Sequence, residues 1–214
     1  MDIFNSQDEV DISQFTDLEK KSKTYVYECQ SGNSFVVNIE GRMAWVFLPE
    51  QTVGLPKISS ASGVKYTDGQ STFWNKGNKA RFERRGTVYK DCVNNPGKAI
   101  WENAKLNGAD FRAVGNEPGW HLEIMHDKEL VFTSQYGKVT HSFSTSIRST
   151  DSVASKTDSV ASKTDYHAQK KGDTLSVTIS GVTCQDTMSD ETYESTVTVM
   201  LDSKAYQGCG KALH

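Results

Sequence analysis

The sequence predicts an all-β protein of two small antiparallel modules, the first a β-barrel and each holding one disulfide. Three observations carry that expectation. Short stretches rich in Val, Ile, Thr and aromatic residues recur between glycine-bearing turns, the pattern of hairpins. Spacing of this kind suits a small barrel, where closure removes exposed strand edges. The four cysteines of the 214-residue chain, Cys29, Cys92, Cys184 and Cys209, fall two to each half, and none forms a C-x-x-C motif.

The first module reads as a run of strands. Tyr25 and Tyr27 alternate with Val26 and Glu28. Phe35-Val36-Val37-Asn38-Ile39 follows the turn Ser31-Gly32-Asn33, and Ala44-Trp45-Val46-Phe47-Leu48 follows Glu40-Gly41-Arg42. Val64 to Thr67, Ser71 to Trp74 and Lys79 to Glu83 come next, separated by Asp68-Gly69 and Lys76-Gly77. Residues 93 to 110 mark a boundary, in which Lys98 to Lys105 has a modest helical pattern. The second module holds strands at Trp120 to Met125, Leu130 to Ser134, Lys138 to Ser144, Leu175 to Ser180, Thr196 to Leu201 and Lys204 to Tyr206. Hairpin tips are expected at Asp127-Lys128 and Asp202-Ser203. The organisation expected is therefore a polar, acidic tether over residues 1–23, a barrel over 24–98, a linker over 99–108 and a second β module over 109–214. Within the last, the heptad Thr-Asp-Ser-Val-Ala-Ser-Lys occurs twice in tandem from Thr150. One Val-Ala pair per seven residues is too little for a coiled-coil seam, so residues 150–165 read as a tolerant surface loop or a long hairpin tip.

Placement of the cysteines suggests the pairs Cys29–Cys92 and Cys184–Cys209, each closing a loop within one half, as proteins of oxidising compartments do. Four buried thiols in a reducing compartment is the competing reading. No run approaches the roughly 20 apolar residues that span a bilayer, and no secretory signal is visible at the start. The opening Met1-Asp2-Ile3-Phe4 is consistent with replacement of a removed signal or lipid anchor. Charge is uneven: residues 1–23 carry a net −3, residues 24–106 a net +4 and residues 107–214 a net −4. The basic run Lys79 to Arg85 alternates as a solvated strand face does, so a nucleic-acid partner is not expected.

Residues 60 to 80 carry the densest functional signal. Two polar clusters, Ser62-Gly63-Val64-Lys65-Tyr66 and Trp74-Asn75-Lys76-Gly77, each set a hydroxyl or a cation beside a glycine. Glycine permits tight turns and close approach of backbone to a partner. With the upstream Tyr27-x-Cys29 and the later Cys92, this pattern resembles the membrane-bound inhibitors of c-type lysozyme, the MliC family, over about residues 24–98. The resemblance implies a β-barrel that inhibits c-type lysozyme and is not an enzyme. It implies that Ser62 and Lys76 enter the lysozyme cleft, with Gly63 and Gly77 shaping the loops and Tyr66 and Trp74 stiffening them. It further implies a periplasmic or outer-membrane location with a lipid anchor in the precursor, and no cofactor. Lysozymes of this type are generally basic, whereas the candidate inhibitory segment is itself mildly basic. The opening Gly115-Asn116-Glu117-Pro118-Gly119-Trp120 and the closing Gly208-Cys209-Gly210 are similar to a little-studied bacterial lipoprotein module that accompanies MliC-like domains.

Other constellations compete. Ser62-Gly63-Val64-Lys65 matches the S-x-x-K of penicillin-binding enzymes, which needs Ser and Lys one helical turn apart. Here a glycine intervenes and no companion motif exists. His121, Glu123 and His141 could bind zinc if the two histidines were side by side. Glu117 beside Trp120 could act as a general acid if buried. A binding module for a small ligand or envelope polymer remains the alternative to the inhibitor, and it requires a deep apolar cavity in one barrel.

Overall fold

The protein is described by a computed structural model covering residues 22–126, 128–144, 146–154 and 160–214, with the side chains of residues 145–161 left undescribed. Residues 1–21 of the expected tether at 1–23, Asp127 of one expected hairpin tip and residues 155–159 of the tandem repeat lie outside the described residues, and Lys23 of that tether opens the first strand. The chain divides into two compact units, one ending at Ala99 and one beginning at Ile100.

The first unit is a closed antiparallel barrel of eight strands in sequence order. These are β1 (Lys23–Cys29), β2 (Ser34–Glu40), β3 (Met43–Leu48), β4 (Gln51–Ile58), β5 (Val64–Thr67), β6 (Ser71–Lys76), β7 (Lys79–Arg84) and β8 (Thr87–Asn94). Alternation sends Tyr27, Phe35, Val37, Val46, Leu55, Phe73 and Phe82 inward, and all are essentially inaccessible. An eight-stranded barrel is just wide enough for side chains to fill. Tilted and edge-on contacts among Tyr27, Phe35, Phe73 and Phe82 occupy its centre. A ligand-binding reading of this barrel needs a cavity where those rings stand. Closure is made by β1 and β8, which pair Tyr27 with Asn94, Glu28 with Val93 and Cys29 with Cys92. The last pair is the disulfide Cys29–Cys92.

Two barrel strands are illegible in the sequence for identifiable reasons. β4 contains Gly54 and Pro56, both poor strand formers. Trp45 compensates from β3: it stands opposite Gly54 in register, and its ring lies where a Cβ on Gly54 would be, 2.6 Å away. An aromatic laid across a strand glycine restores the packing the glycine lacks. In β8 the inward–outward alternation breaks at a bulge. Ala80 faces Cys92 but Phe82 faces Tyr89, so Lys90 and Asp91 together oppose Arg81. Asp91 adopts a φ of +53° to allow it.

Helix α1 (Pro96–Leu106) carries the chain into the second unit. There the strands β9 (Ala109–Asn116), β10 (Gly119–Met125), β11 (Glu129–Ser134), β12 (Val139–Ser144), β13 (Ser146–Ala154), β14 (Val160–Lys170), β15 (Asp173–Ser180), β18 (Ser195–Leu201) and β19 (Lys204–Ala212) form one sheet. Its order is β12-β11-β10-β9-β19-β18-β15-β14-β13. β16 (Cys184–Gln185) and β17 (Thr192–Tyr193) pair only with each other, as a separate two-stranded ribbon. The sheet curls until β12 meets β14 and β15, where Lys170 Nζ donates to the Ser142 carbonyl at 2.9 Å and His141 Nδ1 lies 3.5 Å from Asp173. Leu122, Ile124, Leu130, Phe132, Phe143, Leu175, Val177, Val197 and Val199 fill the inner face. The described residues of the tandem heptads pair along β13 and β14 as a long hairpin, the second of the two arrangements open to them.

The opposite face of the same sheet holds a second, smaller cluster. Trp101 of α1 stacks on Tyr193 at 5.1 Å, and the Arg112 and Lys211 cations lie 5.7 and 5.0 Å from its ring. The disulfide Cys184–Cys209 ties the β16 strand to β19. Arg112 is 6% exposed and is held by an ion pair with Glu123 across the β9–β10 register.

This register corrects the zinc reading. His121 pairs with Thr133, and Thr133 with Thr140, so His121 shares a face with Thr140. His141, one residue on, points to the other face, because successive strand residues alternate. Among the described residues no group of three or more His, Cys, Asp or Glu is arranged to hold a metal. Glu117 is exposed in the β9–β10 turn, so it lacks the burial on which the general-acid reading depended.

Burial, and secondarily the nearby Arg112 cation, push the His121 imidazole down to about 4 from an ordinary 6.5. The folded unit thus keeps His121 neutral while the unfolded chain binds a proton below about pH 6.5. The stability this histidine allows is complete above pH 6.5 and is lost as pH falls toward 4. The expected outcome is a second-unit melting temperature that drops across that window and drops less in His121→Gln. Calorimetry of the full chain at pH 4.5 and pH 7 checks it, and an equal drop in both proteins refutes it.

Candidate functional site

The barrel topology brings the two singled-out clusters together. β5 and β6 pair Tyr66 with Phe73, Lys65 with Trp74 and Val64 with Asn75. Before Val64 the chain forms a bend at residues 61–63, and after Lys76 it enters the turn Gly77-Asn78. Ser62 therefore leaves the loop before β5 at the same end of the barrel where Lys76 enters the β6–β7 turn.

Local chemistry holds both segments. The Trp74 indole Nε1 donates to the Ser62 carbonyl at 2.9 Å, and the Ser60 hydroxyl donates to the same carbonyl at 2.9 Å. This frees the Ser62 side chain to face outward. Gly63 has a φ of +68°, and a Cβ there would meet the Asn75 carbonyl oxygen at 2.5 Å and Trp74 Nε1 at 2.9 Å. Only glycine satisfies both the left-handed backbone and the close approach. Lys76 and Lys79 flank the two-residue turn Gly77-Asn78. Gly77 has a φ of +61° while Asn78 is not left-handed, as in the hairpin turn that requires glycine at its first central position.

Ser62 and Lys76 are exposed. Among the described residues neither the Ser62 hydroxyl nor the Lys76 ammonium has a hydrogen-bonding or ionic partner. The segment is a bend followed by the strand Val64–Thr67, so Ser62 and Lys65 do not share a helical turn as the S-x-x-K nucleophile would need.

Tyr66 and Trp74 divide the supporting work. Trp74 touches the loop directly. Tyr66 is 3% exposed and stacks on Phe73 in the core, so it anchors the base of β5. Beneath the site lie residues the sequence did not single out. Asn75 is 8% exposed and its Oδ1 accepts no hydrogen bond. It neighbours the buried Tyr27 hydroxyl, which burial pushes up to about 12 although the Asn75 amide pulls the other way. The Tyr27 hydroxyl likewise lacks a well-formed partner. Inward-facing Asn and Tyr within an apolar alternation are the signal that could have revealed this polar spot.

The two glycines predict different costs. Gly63→Ala meets backbone, whereas nothing lies within 4 Å of a Cβ on Gly77. Gly77→Ala is expected to cost about 1 kcal/mol of barrel stability, the left-handed penalty alone. Gly63→Ala is expected to cost about 2 kcal/mol or more, because the clash adds to that penalty. Urea denaturation of both variants tests the ranking, and equal costs refute the clamped loop.

Comparison with known proteins follows the same boundaries. Residues 27–91 match the family model described as membrane-bound lysozyme-inhibitor of c-type lysozyme, MliC. A protein of Yersinia enterocolitica named membrane-bound lysozyme inhibitor of C-type lysozyme is 35% identical over 78 residues, which is 35% of this chain and 66% of that relative. The chain thus spans just under two thirds of that relative's length. No solved structure matches the chain. The family match spans the strands that build the site, and over that stretch the barrel unit is similar to the MliC family.

Proposed function

We propose that the barrel is a proteinaceous inhibitor of c-type lysozyme that places Ser62 and Lys76 in the enzyme's cleft and so protects peptidoglycan. The observation that carries this reading is a hydroxyl and an ammonium, on clamped loops at one end of the barrel, that have no partner among the described residues. Lysozyme cleaves with two carboxyl groups, one protonated and one ionised, about 5 Å apart. A protein that plugs the cleft must satisfy both, since a buried unpaired charge is costly. A serine hydroxyl both donates and accepts, so it serves either protonation state. A lysine ammonium forms a charge-assisted hydrogen bond to the ionised carboxylate. Because Trp74 and Gly63 already fix the Ser62 backbone, little conformational freedom is lost on docking.

The module works by occupying the cleft, with no chemistry of its own. Its place is the bacterial envelope, where lysozyme meets peptidoglycan and where disulfides such as Cys29–Cys92 persist. A lipid anchor on the precursor is the attachment this reading implies; among the described residues no helix is long and apolar enough to cross a membrane.

Titration of the full chain into a c-type lysozyme, with a goose-type lysozyme as control, tests this. Stoichiometric and selective loss of c-type activity is expected. Ser62→Ala and Lys76→Ala should each raise the inhibition constant roughly 10- to 100-fold, the scale of one lost hydrogen bond to a charged group, with circular dichroism unchanged. Full inhibition by the double variant overturns the mechanism.

A further inference from the structure

The barrel's charge is segregated along its axis. At the end that bears Ser62 and Lys76 the chain presents Lys23, Arg42, Lys57, Lys65, Lys76 and Lys79. Their positions follow from the topology. Lys23 opens β1, Arg42 sits in the β2–β3 turn and its carbonyl accepts from Lys57 N at 2.8 Å, Lys57 lies opposite Tyr66 near the end of β4, and Lys65 lies opposite Ile58. Among the described residues of the barrel strands and turns, Glu40 is the acid at this end. At the far end, Arg84 and Arg85 stand with Glu50 and Asp68. Lys65 is half-buried and the other five cations are exposed. None of the six has an acidic partner among the described residues. Lys23 lies over the Tyr25 ring at 5.2 Å.

A collar of this kind presents a positive potential to whatever docks on that end of the barrel. Two catalytic carboxyls in a cleft would engage Ser62 and Lys76 and leave five cations facing the cleft's surroundings. We propose that these cations are the specificity element of the inhibitor, and that its cognate partner is a c-type lysozyme whose cleft rim is acidic. This rests on the inhibitor reading and adds to it the charge of the target surface. Rim charges of complementary sign steer encounter and set partner choice, while like charges suppress wrong partners. A lysozyme with a cationic rim meets the collar as a like charge and is penalised even when its catalytic carboxyls are identical.

The test uses the full chain and two c-type lysozymes of known sequence, one with an acidic and one with a basic cleft rim. Both are assayed on a soluble oligosaccharide, so that substrate charge plays no part, and binding is measured by surface plasmon resonance at about 50 and 300 mM salt. The acidic lysozyme is expected to be bound at least about tenfold more tightly at low salt, with most of that advantage gone at high salt. The triple variant Arg42→Glu, Lys57→Glu, Lys79→Glu leaves Ser62 and Lys76 in place and should reverse the preference, chiefly through the association rate. Equal inhibition of both lysozymes, indifferent to salt and to the triple variant, overturns the charge inference and leaves the inhibitor reading standing. Failure to bind or inhibit either enzyme overturns the inhibitor reading and this inference with it.

Discussion

Closure of the barrel by its first and last strands is the constraint on which the site depends. The β1–β8 ladder is only three residue pairs long, ending in Cys29 opposite Cys92, and those two residues are bonded. In the chain-entropy account, tying residues that far apart removes about 4 kcal/mol of freedom from the unfolded chain. A short seam between the two ends of an eight-stranded sheet gains from such a tie. Once the seam is shut, β4, β5, β6 and β7 have a defined curvature, and the loop before β5 comes to lie beside the β6–β7 turn. Opening the seam would release that curvature, and with it the juxtaposition of Ser62 and Lys76.

The site itself is assembled from backbone more than from side-chain contacts. Gly63 lets the chain approach the Asn75 carbonyl, the Trp74 indole holds the Ser62 carbonyl, and the Gly77-Asn78 turn presents Lys76. After these bonds are made, the Ser62 hydroxyl and the Lys76 ammonium have no partner among the described residues. The second unit shows the contrary use of polar groups. There Arg112 is spent on Glu123 and on the Trp101 ring, and Tyr193 donates to Glu191 at 2.8 Å. Charged groups consumed internally make a cover for the sheet, whereas the six cations at the Ser62 end of the barrel have no acidic partner among the described residues.

Much of this was readable from the residues. β2, β3, β5, β6 and β7 announce themselves through alternation between glycine turns, and the Ser62 and Lys76 clusters through glycine beside a polar group. α1 showed in the modest helical pattern of Lys98 to Lys105, although it begins at Pro96. β4 was hidden because its glycine is repaired by a tryptophan on another strand, and β8 because a bulge shifts the phase of its alternation. Neither cause is local, so neither could be seen in the segment itself. The zinc reading failed for a similar reason: whether His121 and His141 share a face depends on the pairing of β10, β11 and β12, and one step of register decides it. Charge totals were legible from composition, but their concentration at one end of the barrel needed the strand directions.

Hydrogen–deuterium exchange of the full chain, alone and mixed with a c-type lysozyme at saturating concentration, tests the central claim most directly. The account predicts slowed exchange in residues 60–65 and 74–79 of the barrel, with the far turn at Asp68–Gln70 unchanged. Unchanged exchange in both segments while lysozyme activity is lost, or protection confined to the second unit, would contradict it.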